Sequence, residues 1–103
     1  MITITVDNVR GLAVPEGLIE ATVEHLITCL CNNIPIAAIG QVELIDGIRL
    51  AVRRGVLSDV QFSFNGTIYP IESTGKLKVW PAGFPGDVMN RQLIGLLSTH
   101  ERK

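Results

Sequence analysis

Charge and cysteine are both scarce in this chain, and each shortage closes off a class of function. Charged residues make up 18% of the 103 positions, and nine basic against ten acidic side chains give a formal charge of -1. With an isoelectric point near 6.1, the chain has no global basic field with which to hold a nucleic-acid backbone. Its two cysteines, Cys29 and Cys31, are spaced so that a helix would point them to different faces, which does not suit a mutual disulfide. Both read as reduced thiols of a cytoplasmic protein. The same spacing lacks the separated ligand pairs of a structural zinc site, so neither metal nor other cofactor is expected. No apolar run approaches the roughly 18 residues of a membrane span. Asp7, Arg10, Glu16, Glu20 and Glu24 interrupt the start and Glu43, Asp46 and Arg49 the middle. The N-terminus also lacks the basic segment and continuous apolar stretch of a signal peptide.

What remains is a chain with 47% apolar residues, enough for a single domain over residues 1–103 with a modest core. Sparse charge leaves apolar surface for another copy or another protein to cover. Ile2, Ile4 and Val6 alternate with Thr3 and Thr5, the period of a strand with one buried face. Asp7 to Gly11 turns the chain. Pro15, Glu16 and Glu20 suit the first turn of a helix on which Leu18, Ile19, Thr22, Leu26, Ile27 and Leu30 recur at helical spacing, with Glu20 and Glu24 facing out. Asn32-Asn33 ends it. Ile34 to Ile39 fits a strand, a buried loop or a short helix. Glu43 to Arg54 places Leu44, Ile45, Ile48, Ala51 and Val52 on one side of an amphipathic helix with Gly55 as its cap. Asp46-Gly47 is equally a hairpin-turn signal, so Gln41 to Ile45 and Ile48 to Val52 stand as an alternative strand pair.

From Ser58 onward the period becomes two. Asp59 to Asn65, Thr67 to Glu72 and Lys76 to Trp80 read as three strands, joined at Asn65-Gly66 and Ser73-Thr74-Gly75 into an antiparallel meander. Asp87 to Ser98 follows as a helix with Val88, Leu93, Ile94 and Leu97 inward, and the last four residues fray. The expected fold is therefore α+β, an antiparallel β-meander packed against two or three helices.

Chemistry is poorly served. His25 and Cys29 stand four apart on one helical face, but the thiol would sit near the negative end of the helix, without the electropositive setting that activates it. Glu20 and Glu24 share a face as solvated charges. Asp59, Glu72 and Asp87 fall at element edges. A non-catalytic role follows, because no set of groups meets the geometry of acid-base or nucleophilic catalysis. Recognition is better supported. Trp80-Pro81-Ala82-Gly83-Phe84-Pro85-Gly86 forms an aromatic knuckle, with Trp80, Phe84 and Arg91 as an interface cluster and Arg53 and Arg54 on its rim. Arg49, Arg53 and Arg54 gather near one helix, and Lys76 and Lys78 share a strand face that reads as the solvated side of an edge strand. The first functional reading is a protein-interaction module that pairs with itself or with another protein. The second is a nucleotide-like or other small-molecule binder, the ligand stacked on Trp80 or Phe84, held through Arg91 or Asn90, and enclosed at the knuckle or between protomers.

Three segments carry a resemblance. Thr22-Val23-Glu24-His25-Leu26-Ile27, the run Arg53-Arg54-Gly55-Val56-Leu57-Ser58-Asp59-Val60 within Arg49 to Phe64, and Ile68 to Phe84 through Ile71, Gly75, Leu77 and Trp80-Pro81-Ala82-Gly83-Phe84 resemble the C-terminal portion of ABC/SMC-like ATPases associated with bacterial defence. The position matching that family's switch histidine is Thr22, and no Gly-rich loop ending in Gly-Lys-Ser/Thr is present. Without the phosphate cradle and its lysine, ATP hydrolysis has no support. The resemblance implies a stand-alone counterpart of that portion, an accessory or inhibitory module acting on a partner in prokaryotic defence or in phage counter-defence.

Overall fold

The computed structural model describes residues 1–85. The first strand, β1 (Ile2–Val6), lies beside β2 (Val60–Phe64), and β3 (Thr67–Pro70) completes a sheet of order β1-β2-β3. β1 and β2 run parallel, with Ile4 opposite Phe62 and Val6 opposite Phe64. Their two-residue periods are thus in phase, which buries Ile4, Val6, Val60, Phe62 and Phe64 together. Thr3, Thr5, Gln61 and Ser63 take the other face, where the Gln61 amide donates to Thr3 Oγ1 at 2.9 Å. β3 returns antiparallel through Asn65-Gly66, whose φ values of 50° and 79° are those a type I′ turn demands.

Among the described residues, two helices cover the apolar face. A 3-10 turn over Glu16–Leu18 leads into α1 (Ile19–Cys31), and α2 (Val42–Arg53) follows. The α1 residues Leu26 and Leu30 are buried, as are Leu44, Ile45, Ile48, Ala51 and Val52 of α2, and all seven join the sheet residues in one core. The Asp46-Gly47 pair therefore lies inside a helix, not at a hairpin turn. Glycine is needed there because α1 crosses so closely that a Cβ on Gly47 would stand 2.6 Å from Val23 Cγ2 and 2.7 Å from Cγ1. Ile34 to Ile39 is a loop that becomes extended only at Ile39, which is buried and bridges Val6 and Leu12. Two side chains brace the loops on this side. Gln41 pairs its amide with the Val14 backbone, donating from Nε2 to the carbonyl at 3.0 Å and accepting the N–H at 2.9 Å. Asp7 Oδ1 accepts the N–H groups of Val9 and Arg10 at 2.9 and 3.0 Å, closing the turn after β1.

The α+β class is as the sequence predicts, but the sheet is mixed and its third member is β1. Lys76 to Trp80 is not a strand: Leu77 makes one antiparallel bridge to Ile71 and the ladder stops. The reason lies on the neighbouring segment. In that register Lys78 would fall opposite Pro70, which has no N–H to donate to the next rung. The chain bends away, leaving Val79 60% exposed. The helix expected over Asp87 to Ser98 lies outside the described residues.

Candidate functional site

The knuckle after the sheet folds inward. Phe84 N–H donates to the Pro81 carbonyl at 3.2 Å, closing a turn, and Asn8 Nδ2 anchors that turn by donating to the Gly83 carbonyl at 2.7 Å. Phe84 is 1% exposed. Its ring meets Phe64 edge-on at 5.2 Å between centroids, Trp80 edge-on at 5.3 Å and Phe62 at a tilt at 5.7 Å, separations at which aromatic pairs attract. Phe84 is thus a core residue, and no ring face of it is open to a ligand. Its burial has a simple cause: Phe62 and Phe64 project from β2 onto the same face and leave a slot that an aromatic ring fills.

Trp80 is half-buried and links this cluster to α2. The Arg49 guanidinium stands 4.9 Å from the centroid of its ring, a cation-π contact. Two further contacts fix Arg49: Nε donates to the Gly75 carbonyl at 2.8 Å, and Nη1 pairs with Asp46 Oδ1 at 2.9 Å one turn earlier on the helix. Trp80 Nε1 is buried without a hydrogen-bond partner among the described residues.

This arrangement opens a groove of about 300 Å³ between α2 and the turn around residues 74–76. Among the described residues, Arg49, Arg53 and Lys76 bring three cations to it, against the carboxylate of Asp46. Leu50, 43% exposed, supplies an apolar lip, and Thr74 and Gly75 form the opposite wall. The turn is held hard against the helix: a Cβ on Gly75 would lie 2.6 Å from the Arg49 carbonyl oxygen. Arg53 also borders a second cleft of about 360 Å³, which reaches Asp59 and Ser73. Arg53 and Lys76 are exposed, and neither has an ion pair among the described residues.

The residues singled out from sequence therefore divide. Arg53 lines the groove, Trp80 meets it only through Arg49, Phe84 is interior, Arg54 caps the end of α2 outside the groove lining, and Asn90 and Arg91 lie outside the described residues. Lys76 joins the arginines in the groove, although the strand that was to present it does not form. Asp46, Thr74 and Gly75 are members that sequence reasoning passed over. The four-residue spacing of Arg49 and Arg53, which stacks them on one helical face, was the available signal.

On α1, Cys29 Sγ lies 3.7 Å from His25 Nε2, with the histidine exposed and the thiol half-buried. Both cysteines are free. No group of three or more His, Cys, Asp or Glu among the described residues is placed to hold a metal ion, and no described helix is long and apolar enough to cross a membrane. No family model, curated protein or solved structure matches this chain.

Proposed function

We propose that the chain is a non-catalytic interaction module that docks an acidic segment of a partner protein into the groove between α2 and the 74–76 turn. The observation that carries this reading is the convergence of Arg49, Arg53 and Lys76 on one groove beside the exposed lip of Leu50. A pre-oriented arginine next to apolar surface is the composition of an interface hot spot, and uncompensated charge at its rim selects partners of opposite sign. Arg49 supplies the fixed centre, Arg53 and Lys76 the steering charge. The resemblance to defence-associated ATPases would make the partner a component of such a system. A second copy of the chain is the other candidate.

The test is reconstitution of the complex from purified components, after partners are identified by cross-linking the intact protein. Replacing Arg53→Glu and Lys76→Glu together should weaken binding by about tenfold or more and flatten its salt dependence. A complex whose affinity ignores both the double charge reversal and added salt would refute the docking face. Light scattering over a concentration series separates self-association from a foreign partner.

A further inference from the structure

We infer that the groove is built to receive a phosphomonoester carried on a side chain of the partner, such as phosphoserine. This rests on the docking reading above and names the chemistry of what is docked. Among the described residues, three cations against one carboxylate leave two positive charges in excess within the groove. A single partner carboxylate would neutralise only one of them. A phosphomonoester carries about -1.5 to -2 at neutral pH and offers three acceptor oxygens, which matches the excess and the number of donors.

The donors differ in readiness in a way that suits this ligand. Arg49 is held on three sides by Asp46, the Gly75 carbonyl and the Trp80 ring, so its guanidinium plane is set before anything binds. That leaves Nη2 as the one guanidinium nitrogen without a protein partner described for it. Arg53 and Lys76 are exposed side chains without ion pairs among the described residues, able to close on the remaining oxygens. Thr74, on the facing wall, carries a hydroxyl of the kind that supplements such contacts. A fixed arginine with two mobile cations costs less ordering than three mobile ones.

The experiment is an amide and arginine side-chain NMR titration of the full chain with five probes: a short phosphoserine peptide, its serine form, its glutamate form, adenosine monophosphate and inorganic phosphate. The phosphoserine peptide should shift the Thr74 and Gly75 amides and the Arg49 Nε–H, and bind about tenfold tighter than the glutamate peptide. Arg53→Gln and Lys76→Gln should each weaken it several-fold, whereas Arg54→Gln, outside the groove, should not. Equal affinity for phosphoserine and glutamate peptides would overturn the inference while leaving an acidic partner in place. Tighter binding of adenosine monophosphate would move the ligand class to nucleotides. A phosphoserine peptide no better than inorganic phosphate would reduce the groove to a general anion site. Silence from every probe, with the reconstituted complex still sensitive to Arg53 and Lys76, would remove the phosphate and keep the docking face.

Discussion

Replacing Gly47 by alanine sets two effects of opposite sign against each other, and the structure says which should prevail. In a helix interior alanine is favoured over glycine by about 1 kcal/mol. Against that gain, the new methyl would stand 2.6 and 2.7 Å from the two γ-carbons of Val23 and 3.2 Å from its Cβ. Valine is stiff about χ1, and rotating it largely exchanges one crowding methyl for the other. The clash is therefore relieved only by moving α1 from α2, and overpacking of this kind costs about 1–3 kcal/mol. The net expectation is a loss of up to about 2 kcal/mol, in place of the gain that an exposed helical glycine would show. Val23→Ala alone should also destabilise, by leaving space between the helices. Combined with Gly47→Ala, it should recover much of the loss, because the new methyl occupies the vacated volume. A coupling of at least about 1 kcal/mol is expected from urea denaturation with unchanged m-values. Gly47→Ala that stabilises by its full propensity, with Val23→Ala merely additive, would mean that the helices do not cross at this point.

Three further substitutions probe the supports of the fold and site. Phe84→Ala should cost about 3–5 kcal/mol, a large share of the roughly 5–15 kcal/mol that holds a domain of this size; an unmoved melting temperature would show the knuckle undocked. Gln41→Ala removes both partners of the Val14 backbone and should cost about 1–3 kcal/mol by calorimetry, and faster hydrogen exchange at Val14 would localise the loss. Asp7 titrates below its ordinary 3.8 because the Arg10 and then the Val9 N–H groups bond its carboxylate. A depressed folded value stabilises above pH 3.8 and ceases to do so as pH falls through it. Asp7→Ala should therefore be less stable than the parent at neutral pH, and the gap should narrow in acid; a constant gap would assign the effect to packing.

The parts of the fold that sequence reveals are those decided by one segment's own periodicity. Leu44, Ile45, Ile48, Ala51 and Val52 recur at helical spacing between charges, and all five are buried. Ile4 and Val6 likewise announce their face of β1. Alternation names a face but not a neighbour, so the parallel pairing of β1 with β2 was out of reach. Lys76 to Trp80 alternates as well as β1 does, yet its ladder is ended by Pro70 on another segment. The knuckle has the same composition whether displayed or folded back, and Phe62 and Phe64, distant in sequence, decide the outcome for Phe84. Arg49, Arg53 and Arg54 are chemically alike. Only their angular positions on α2 relative to the 74–76 turn put two in the groove and leave the third outside its lining.

The pairing of β1 beside β2 has a consequence for birth at the ribosome. β1 meets β2 only after both helices have been synthesised, which at about 5–20 residues per second leaves it waiting for several seconds. Throughout that interval Ile2, Ile4 and Val6 lack their β2 partners. Moving β1 to follow β3 by circular permutation would shorten that exposure for β1, and would show whether yield in cells is limited by delayed closure of the sheet.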